Sequence, residues 1–300
     1  MSWRVLMTGG TGLLGKTLLE TAPEGWDVVA TFYNTPPPMA WRSRFQHLDV
    51  RDASAVESLM DAVRPTVVIH TASVGSVDEA ERSPEAVRRV NVGGTQAVGQ
   101  ACREVGARLI FISSNAVFDG TRPPYDEASP LGAVNQYGLL KIEAETWVRA
   151  SGLPAVIIRP ILMYGWPWPG GRENVVTRWL SRLEGGHSVE AAEDLYSMPL
   201  LVTNCAEAIW AAAHQGRTGT FHLAGADRVS LVEFARATAR AFDCDEELVQ
   251  SVPHGRMTGF APRPVDTSFS TSKMERELGV APLGVREGLA LLQRTRIPAR

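Results

Sequence analysis

Unbroken runs of apolar residues alternate with stretches of helical periodicity through the first half of the chain. Unbroken runs are typical of strands that are buried on both faces of a parallel sheet, since such strands show no polar alternation. The long strands predicted from these runs cover residues 3–9, 27–33, 66–72, 108–114 and 155–160. The predicted helices between them cover residues 13–21, 53–63, 83–106 and 136–150. Strand and helix alternation of this kind predicts an α/β fold with a doubly wound parallel sheet.

The pattern changes near residue 165. The Pro and Gly residues of GWPWPGGREN predict a loop there, followed by helical segments and short strands. The helical segments cover residues 174–184, 203–215 and 230–242, and TFHLAG (220–225) reads as a strand. We therefore expect a sheet domain over residues 1–164 and a smaller C-terminal α/β lobe over 165–300, with the chain crossing back to the sheet.

The composition excludes some classes of function but does not identify one. The 300 residues are 44% hydrophobic and 21% charged with a net charge of −3, which is ordinary for a globular protein and gives no basic footprint for nucleic acid. No apolar run reaches the ~18 residues of a membrane span, and the N-terminus lacks the pattern of a signal peptide. Three widely spaced cysteines without a C-x-x-C pattern are typical of a reducing compartment. We expect a cytoplasmic protein.

A glycine-rich turn, MTGGTGLLGK, links the first predicted strand to the first predicted helix. Glycines at positions 9, 12 and 15 allow a tight turn and a close backbone approach to a pyrophosphate at the helix N-terminus. The context of strand, turn and helix favours a dinucleotide over a glycine-rich turn without a ligand. The residues expected to contact the cofactor are Gly9, Thr11, Gly12, Leu13, Leu14 and Gly15.

The end of the second strand indicates which dinucleotide is bound. It reads TFYN, without the carboxylate that grips an adenosine ribose, so NADP(H) is preferred and NAD(H) is also accommodated. Arg42 or Arg44 is placed to meet a 2′-phosphate, and the alternative is that both are surface charges. Asp49 ends a short third strand and is expected to accept from the adenine amino group. The cofactor contacts expected here are Tyr33, Asn34, Arg42, Asp49 and Val50.

The stretch YGLLK contains a candidate proton-transfer pair. Tyr137 and Lys141 are four residues apart on a predicted helix and therefore share one face. The pattern is unspecific when it stands alone, because the same spacing occurs on many solvated helices. Ser114 ends the predicted strand over residues 108–114.

The motifs together resemble those of an extended short-chain dehydrogenase/reductase, and more narrowly the dTDP-4-dehydrorhamnose reductase group. The superfamily motifs are TGGTGLLG, LDVRD, VVIHTAS, NVGGT, FISSNAVFDG and YGLLK, in the family's order and spacing. The narrower resemblance lies in SVDEAE, in VFDG followed by PYDE, and in RPVDTSFSTSKMERELG. It implies a Rossmann-like fold, with dinucleotide binding in the first domain and substrate binding in the lobe.

The resemblance also implies roles for the candidate residues. Tyr137 is the acid that protonates the carbonyl oxygen, while Lys141 binds the nicotinamide ribose and lowers the pKa of the tyrosine. Ser114 holds the substrate oxygen, a role for which Ser113 is less suited, because the family's hydroxyl aligns with the second position. Asn91 is a structural or proton-relay partner near Lys141, or alternatively a helix-packing residue.

Further contacts come from the same resemblance. For the cofactor they are Thr71, Ala72, Ser73, Asn91, Arg159, Pro160 and Ile161. For the substrate they are Ser114, Asn115, Tyr164, Trp166, Asn174 and Arg263. Arg263 is preferred over Asn174 for a nucleotide diphosphate because a guanidinium suits bidentate contact with phosphate, unless it is a buried structural arginine. The aromatic residues of the loop, Trp168 included, either cover the substrate or pack the lobe.

The chain departs from the reductase pattern near the expected sugar site. Asn115 and Ala116 stand where the group has Asp and Tyr, and Leu195 and Leu200 stand where it has Gln and Thr. These changes bear more on the identity of the sugar than on carbonyl reduction. We see no carboxylate cluster for the metal-dependent dimer interface known in some members, so we predict no metal.

The leading hypothesis is an NAD(P)H-dependent reductase of a 4-keto-6-deoxy nucleotide sugar. One alternative is a nucleotide-sugar epimerase or dehydratase, and another is a non-catalytic NADP-binding regulatory subunit of a second enzyme. Reductases of unrelated small carbonyl compounds stay open as well. The resemblance further implies a homodimer formed through residues 83–105 and 136–150.

Overall fold

A central parallel sheet organises the protein in the computed structural model, which describes residues 3–256 and 261–296. Within these ranges seven strands form the sheet, in the order β3-β2-β1-β4-β5-β6-β11. They are β1 (Arg4–Thr8), β2 (Asp27–Phe32), β3 (Phe45–His47), β4 (Val67–His70), β5 (Arg108–Ile112), β6 (Ala155–Pro160) and β11 (Gly219–Leu223). The predicted doubly wound α/β fold is confirmed, because the strand order reverses between β1 and β4.

Helices cover both faces of the sheet and bury its apolar residues. On one face, α1 (Leu13–Glu20) and α8 (Val202–His214) pack against the strands. The helices on the other face are α2 (Ala53–Val63), α3 (Val77–Arg82), α4 (Pro84–Arg88), α5 (Gly94–Val105) and α6 (Gln136–Ala150). Their apolar side chains join the second face of the strands in a separate buried cluster. Burial on both faces explains why the strands carry unbroken apolar runs.

The long helix predicted over residues 83–106 is divided by a π-helical turn. Helix α4 leads into this turn, Arg89–Gly93, which continues into α5 without leaving helical backbone angles. Pro84 occupies the first helical position as expected. Ser83 stands at the N-cap position, but its side chain makes no capping hydrogen bond within the described chain. The short helix α3 and the π turn were not predicted.

The C-terminal half has an apolar cluster of its own. It is built mainly by α7 (Val175–Leu183), α9 (Leu231–Ala241) and α10 (Val285–Arg294). The small strands of this half are β7 (Met163–Tyr164), β8 (Val189–Ala192), β9 (Tyr196–Ser197), β10 (Leu200–Leu201), β12 (Val229–Ser230) and β13 (Val249–Val252). The chain returns to the central sheet through α8 and β11. The division at residues 164 and 165 stays a prediction, since no boundary is defined by the clusters alone.

A buried ion pair fastens α6 to the sheet. Glu145 and Arg159 are both almost fully buried, and the guanidinium donates to both carboxylate oxygens at 2.8 and 2.6 Å. Ser113, which follows β5, donates to the same carboxylate at 2.5 Å, and Arg149 donates from the next turn of the helix at 2.9 Å. Arg159 also donates to Nε2 of His222 on β11. The carboxylate therefore joins α6 to the chain around β5 and β6.

Replacing Glu145 with Gln leaves the Arg159 charge buried and uncompensated. We expect this variant to lose about 3–5 kcal/mol of unfolding free energy, measured by urea denaturation. Glu143→Gln on the same helix removes an exposed pair with Arg88 and should cost less than about 1 kcal/mol. The double variant Glu145→Leu, Arg159→Met should recover much of the loss. Equal losses in the Glu143 and Glu145 variants would contradict a special role for the buried pair.

Candidate active site

The glycine turn has the geometry that a dinucleotide needs. Gly9 has φ = +71°, and a Cβ there would lie 2.7 Å from the backbone nitrogen of Ala72. A Cβ on Gly15 would lie 2.5 Å from the carbonyl oxygen of Gly9, so α1 packs directly on the turn. A Cβ on Gly12 would meet the same oxygen at 3.4 Å, an ordinary contact distance. Gly9 and Gly15 are thus needed for the fold of the turn, whereas Gly12 leaves space beside it.

The N-terminus of α1 fits an anionic group. Gly12 is the N-cap, the first turn has no acidic residue, and no side chain of the described residues caps it. The first N–H groups of a helix have no intrahelical partner and favour a phosphate at this end. Thr11, Leu13 and Leu14 line this end of the helix. Gly10 is a further requirement that the spacing did not reveal, since a Cβ there would lie 2.7 Å from Cβ of Ala30.

The edge beyond β2 contains an arginine that the sequence analysis missed. Arg51 donates to both carboxylate oxygens of Asp49 and, at 2.6 Å, to the phenol oxygen of Tyr33. The carboxylate of Asp49 is therefore paired with a guanidinium, which also lowers its pKa. Asp49 lies two residues beyond the end of β3 rather than at its end. Arg42 is exposed in a 3₁₀ turn over Met39–Arg44, and Asn34 is exposed nearby.

The segment after β4 passes directly under the glycine turn. The hydroxyl of Thr71 donates to the carbonyl oxygen of Thr8 at 2.6 Å, and the backbone N–H of Ala72 donates to the Thr8 hydroxyl at 3.2 Å. Ser73 donates to Oδ1 of Asn91 at 3.1 Å. The structure thus brings residues 71–73 against Gly9, as expected for a segment below a cofactor. Val50, which follows β3, is also buried.

Asn91 fastens this segment from the π-helical turn. Its Oδ1 accepts from the backbone N–H of Val74 at 2.8 Å, and its Nδ2 donates to the carbonyl oxygen of Val74 at 3.1 Å. The backbone carbonyl of Asn91 accepts from the Thr95 hydroxyl, which lies 3.2 Å from Nε2 of the buried His70. The side chain of Asn91 thus accepts two hydrogen bonds from residues 73–74 and donates one to Val74, which supports the structural alternative over a proton relay through its amide.

Tyr137 and Ser114 meet at the carboxyl end of β5. The Ser114 hydroxyl accepts from the backbone N–H of Ala116 at 3.1 Å and donates towards Asn115 Oδ1 at 3.3 Å. Burial raises the pKa of the half-buried Tyr137, against the opposing effects of its hydrogen bonds with Ser114 and Ser73 and of the nearby positive charge of Arg172. The close approach depends on Gly138, because a Cβ there would collide with the carbonyl oxygen of Ala116.

Lys141 is buried one turn further along α6. Its Nζ donates to the carbonyl oxygen of Ile112 at 2.9 Å and lies 5.8 Å from the centroid of the Tyr137 ring. Burial lowers the pKa of Lys141 to about 8, opposed by the charge of Glu145. The expected lowering of the Tyr137 pKa by Lys141 stays a prediction, because Lys141 is not among the groups that shift this pKa in the structure. Burial outweighs the neighbouring charges and moves the pKa of the phenol upwards.

The guanidinium of Arg159 points into the protein interior rather than towards the glycine turn. Its guanidinium is committed to Glu145 and His222 in the interior, so its expected contact with the nicotinamide carboxamide is corrected to a structural ion pair. Pro160 and Ile161 lie at the end of β6 and are buried. These two residues stay at the carboxyl edge of the sheet, where the backbone after a strand can approach a ligand.

The aromatic residues near residue 165 make packing contacts in the lobe. Tyr164 is buried, with its ring 5.2 Å from that of Phe234, and burial raises its pKa. The indole of Trp166 donates to the carbonyl oxygen of Leu292 at 3.0 Å. Trp168 is buried with Nζ of Lys16 5.4 Å from its ring centroid, and its N–H has no partner among the described residues. Tyr164 is therefore a buried packing residue, whereas contact of the half-buried Trp166 with a substrate stays a prediction.

The two candidates for a substrate diphosphate are engaged elsewhere. Asn174 caps α7, where its Oδ1 accepts from the N–H groups of the first turn, and its Nδ2 donates to the carbonyl oxygen of Gly165 at 2.6 Å. Arg263 is an exposed arginine, contrary to the buried alternative, and donates to Asp78 at 3.0 Å. Asn115 donates to the Thr267 hydroxyl at 2.6 Å beside Ser114. Asn174 is thus a helix cap by its contacts.

Leu195 and Leu200 are the remaining departures from the reductase pattern. Leu200 is fully buried in β10, and Leu195 accepts a backbone hydrogen bond from Leu231. Across residues 3–256 and 261–296, no cluster of three or more His, Cys, Asp or Glu side chains could hold a metal ion. No helix in those ranges is both long and apolar enough to cross a membrane.

The sheet order, the glycine turn and the adjoining helix N-terminus define a Rossmann-like dinucleotide-binding protein. The chain belongs to the RmlD substrate binding domain family, whose sequence model matches residues 3–296. It shares 27% identity and a TM-score of 0.88 with the structure of dTDP-4-dehydrorhamnose reductase from Bacillus anthracis in complex with NADP. That comparison covers 99% of this chain and all of the other. The family predicted from the motifs is confirmed.

Two kinds of curated relative match the chain at the same level. The dTDP-4-keto-6-deoxy-D-glucose reductase of Streptomyces niveus is 30% identical, covering 94% of this chain and 93% of its own. Methionine adenosyltransferase 2 subunit beta of Rattus norvegicus is also 30% identical, covering 96% and 87%. One relative is named as an enzyme and the other as a subunit, so similarity alone does not separate these two functions.

The glycine turn predicts opposite results for two substitutions. Gly15→Ala forces a Cβ against backbone atoms and should destabilise the protein by about 1–3 kcal/mol. Gly12→Ala meets no such obstacle and should change stability by less than about 1 kcal/mol. Its methyl group nevertheless blocks the approach of a pyrophosphate and should weaken NADPH binding by about tenfold or more. Thermal unfolding and fluorescence titration measure the two effects. Unchanged NADPH affinity in Gly12→Ala would rule out this turn as the cofactor site.

Proposed function

We propose that the protein is an NAD(P)H-dependent reductase of a 4-keto-6-deoxy nucleotide sugar. The observation that carries the proposal is the meeting of Tyr137 and Ser114 beside Lys141 at the sheet edge that contains the glycine turn. The glycine turn follows β1 and Ser114 follows β5 at the carboxyl ends of the same parallel sheet, so a cofactor on the turn and a ketone at the phenol would be neighbours. The reductase relatives support the same activity.

Side chains of the protein supply the proton and position the carbonyl oxygen that receives it. Tyr137 donates its phenol proton to the carbonyl oxygen, which Ser114 holds by a hydrogen bond. A reduced nicotinamide, when bound, supplies the hydride. A raised pKa suits this direction of reaction, because the phenol keeps its proton at neutral pH until the substrate oxygen becomes basic. Lys141 is buried within reach of the same edge, where its ammonium would hold the ribose of the cofactor.

A preference for NADP(H) rests on the edge beyond β2. The sequence has no carboxylate at Tyr33 or Asn34 to repel a 2′-phosphate. Arg51 adds a guanidinium beside Tyr33, although its pairing with Asp49 must loosen before it could bind a phosphate. The related reductase crystallised with NADP supports this choice. We prefer Arg51 to Arg42 as the phosphate ligand, because the Arg51 guanidinium is already held beside Tyr33 at the end of β2.

A second candidate function is a non-catalytic NADP-binding subunit of another enzyme. The specific observation in its favour is the 30% identity with methionine adenosyltransferase 2 subunit beta. An epimerase or dehydratase is less favoured, since Ser114, Asn115 and Ala116 offer no acid pair for a dehydratase. The predicted homodimer through residues 83–105 and 136–150 and the predicted cytoplasmic location remain expectations. The exposed Leu139 on α6 is an apolar residue available to such an interface.

The pKa of Lys141 predicts the alkaline limb of the pH profile. Because burial destabilises the charged form, the ammonium is lost as pH rises through about 8, well below the ordinary value of about 10.4 for lysine. The phenol keeps its proton in this range, so the loss belongs to Lys141. We expect kcat/KM for ketone reduction to fall above pH 8. Lys141→Arg stays charged and should move the limb upwards. A profile that is flat to pH 10 would contradict the assignment.

Removing the phenol hydroxyl tests the reductase directly. Tyr137→Phe should lower kcat for dTDP-4-keto-6-deoxyglucose by about 10²–10⁴ while NADPH still binds, because the proton donor is lost and the cofactor site is kept. NADPH oxidation with substrate made in situ by a dehydratase measures the effect. Tyr125→Phe removes a hydroxyl that donates to Asp119 and should leave kcat unchanged. Full turnover in Tyr137→Phe would refute the mechanism.

Absence of turnover in the unaltered protein would instead favour the second candidate. A stoichiometric complex with another enzyme, recovered from cells of the source organism and dependent on bound NADPH, would then establish the subunit function.

A further inference from the structure

Arg172 is a cation at the mouth of the candidate site that the sequence analysis did not single out. It lies on the segment between β7 and α7, and its Nη1 is 3.7 Å from the position of a Cβ built on Gly75. Gly75 lies two residues beyond Ser73, whose hydroxyl donates to Asn91 and also lowers the pKa of Tyr137. The positive charge of Arg172 also acts on the phenol. The guanidinium therefore stands over the loop after β4, close to the reacting centre.

Arg172 differs from the other arginines near the site because it is not paired with a carboxylate in the described part of the chain. Arg51, Arg159 and Arg263 each donate to a carboxylate at 3.0 Å or less. Arg172 is exposed and has neither an ion pair nor a hydrogen bond within residues 3–256 and 261–296. Since Arg263 already faces Asp78, Arg172 is the guanidinium near Tyr137 that is free to bind a ligand.

We propose that Arg172 binds the diphosphate of a nucleoside diphosphate and so selects charged over uncharged ketones. The inference rests on the proposed function and names the residue that would read the anionic part of its substrate. A guanidinium presents a planar fork of donors that matches phosphate oxygens, and such charge-assisted bonds are among the stronger polar contacts. The exposed Gly75 has no side chain, which leaves an opening beside the guanidinium for phosphate oxygens.

Binding of nucleotides, which needs no turnover, tests the proposal. The probes are dTDP and thymidine, titrated calorimetrically into the NADPH-loaded protein. Arg172→Gln should weaken dTDP binding by about 10–100-fold and leave thymidine binding within about twofold, while Arg172→Lys should lie between. Arg178→Gln is the matched control, because it removes another exposed positive charge, from the adjoining helix α7. It should bind both probes as the unaltered protein does.

Three results would overturn the proposal. They are unchanged dTDP affinity in Arg172→Gln, an equal loss for dTDP and thymidine, and an equal loss in Arg178→Gln. Failure of the unaltered protein to bind dTDP would overturn it as well. If dTDP binding depends on Arg172 but no 4-keto-6-deoxy sugar is reduced, the inference about the anion stands and the proposed reductase activity fails.

Discussion

The buried carboxylate of Glu145 is the constraint on which the candidate site depends. Removing a carboxylate and a guanidinium from water is costly, and the cost is offset only where both groups are well paired. Glu145 accepts from Arg159 on β6 and from Ser113 after β5, and also from Arg149 on its own helix. Few rotations of α6 could satisfy all of these bonds. The orientation of the helix, and hence of Tyr137 about two turns earlier, follows from this pairing.

The neighbouring residues Ser113 and Ser114, at the end of β5, have different partners. Ser113 donates inwards to Glu145, whereas Ser114 meets the phenol of Tyr137 on the other side. The helix can come this close because Gly138 presents no Cβ to the carbonyl oxygen of Ala116. Gly15 gives the same freedom to α1 at the glycine turn. Buried charges fix where the helices lie, and glycines allow them to reach backbone contact.

The sequence was sufficient for the features that depend on local pattern. Each of these features is encoded by a few adjacent residues: the apolar runs, the glycine turn, and the pair of Tyr137 and Lys141. Contacts between distant residues were not predictable in this way. Arg263 pairs with Asp78, 185 positions away, and the buried position of Tyr164 depends on α9 and α10. The upward shift of the Tyr137 pKa was not predictable for the same reason, because burial is a property of the folded chain.

The departures beside Ser114 are compatible with an active hydroxyl. Asn115 can donate and accept at once, unlike a carboxylate, and it uses both capacities, towards Thr267 and from Ser114. The bond from Ser114 is long at 3.3 Å, so the hydroxyl hydrogen is weakly held and can turn to a substrate oxygen. Ala116 is buried where its backbone, rather than its side chain, contacts Ser114 and approaches Gly138. These substitutions alter the shape and polarity around Ser114, because Asn115 adds an amide donor where the group has a carboxylate and Ala116 lacks the phenol of the group's tyrosine, while the Ser114 hydroxyl itself is kept.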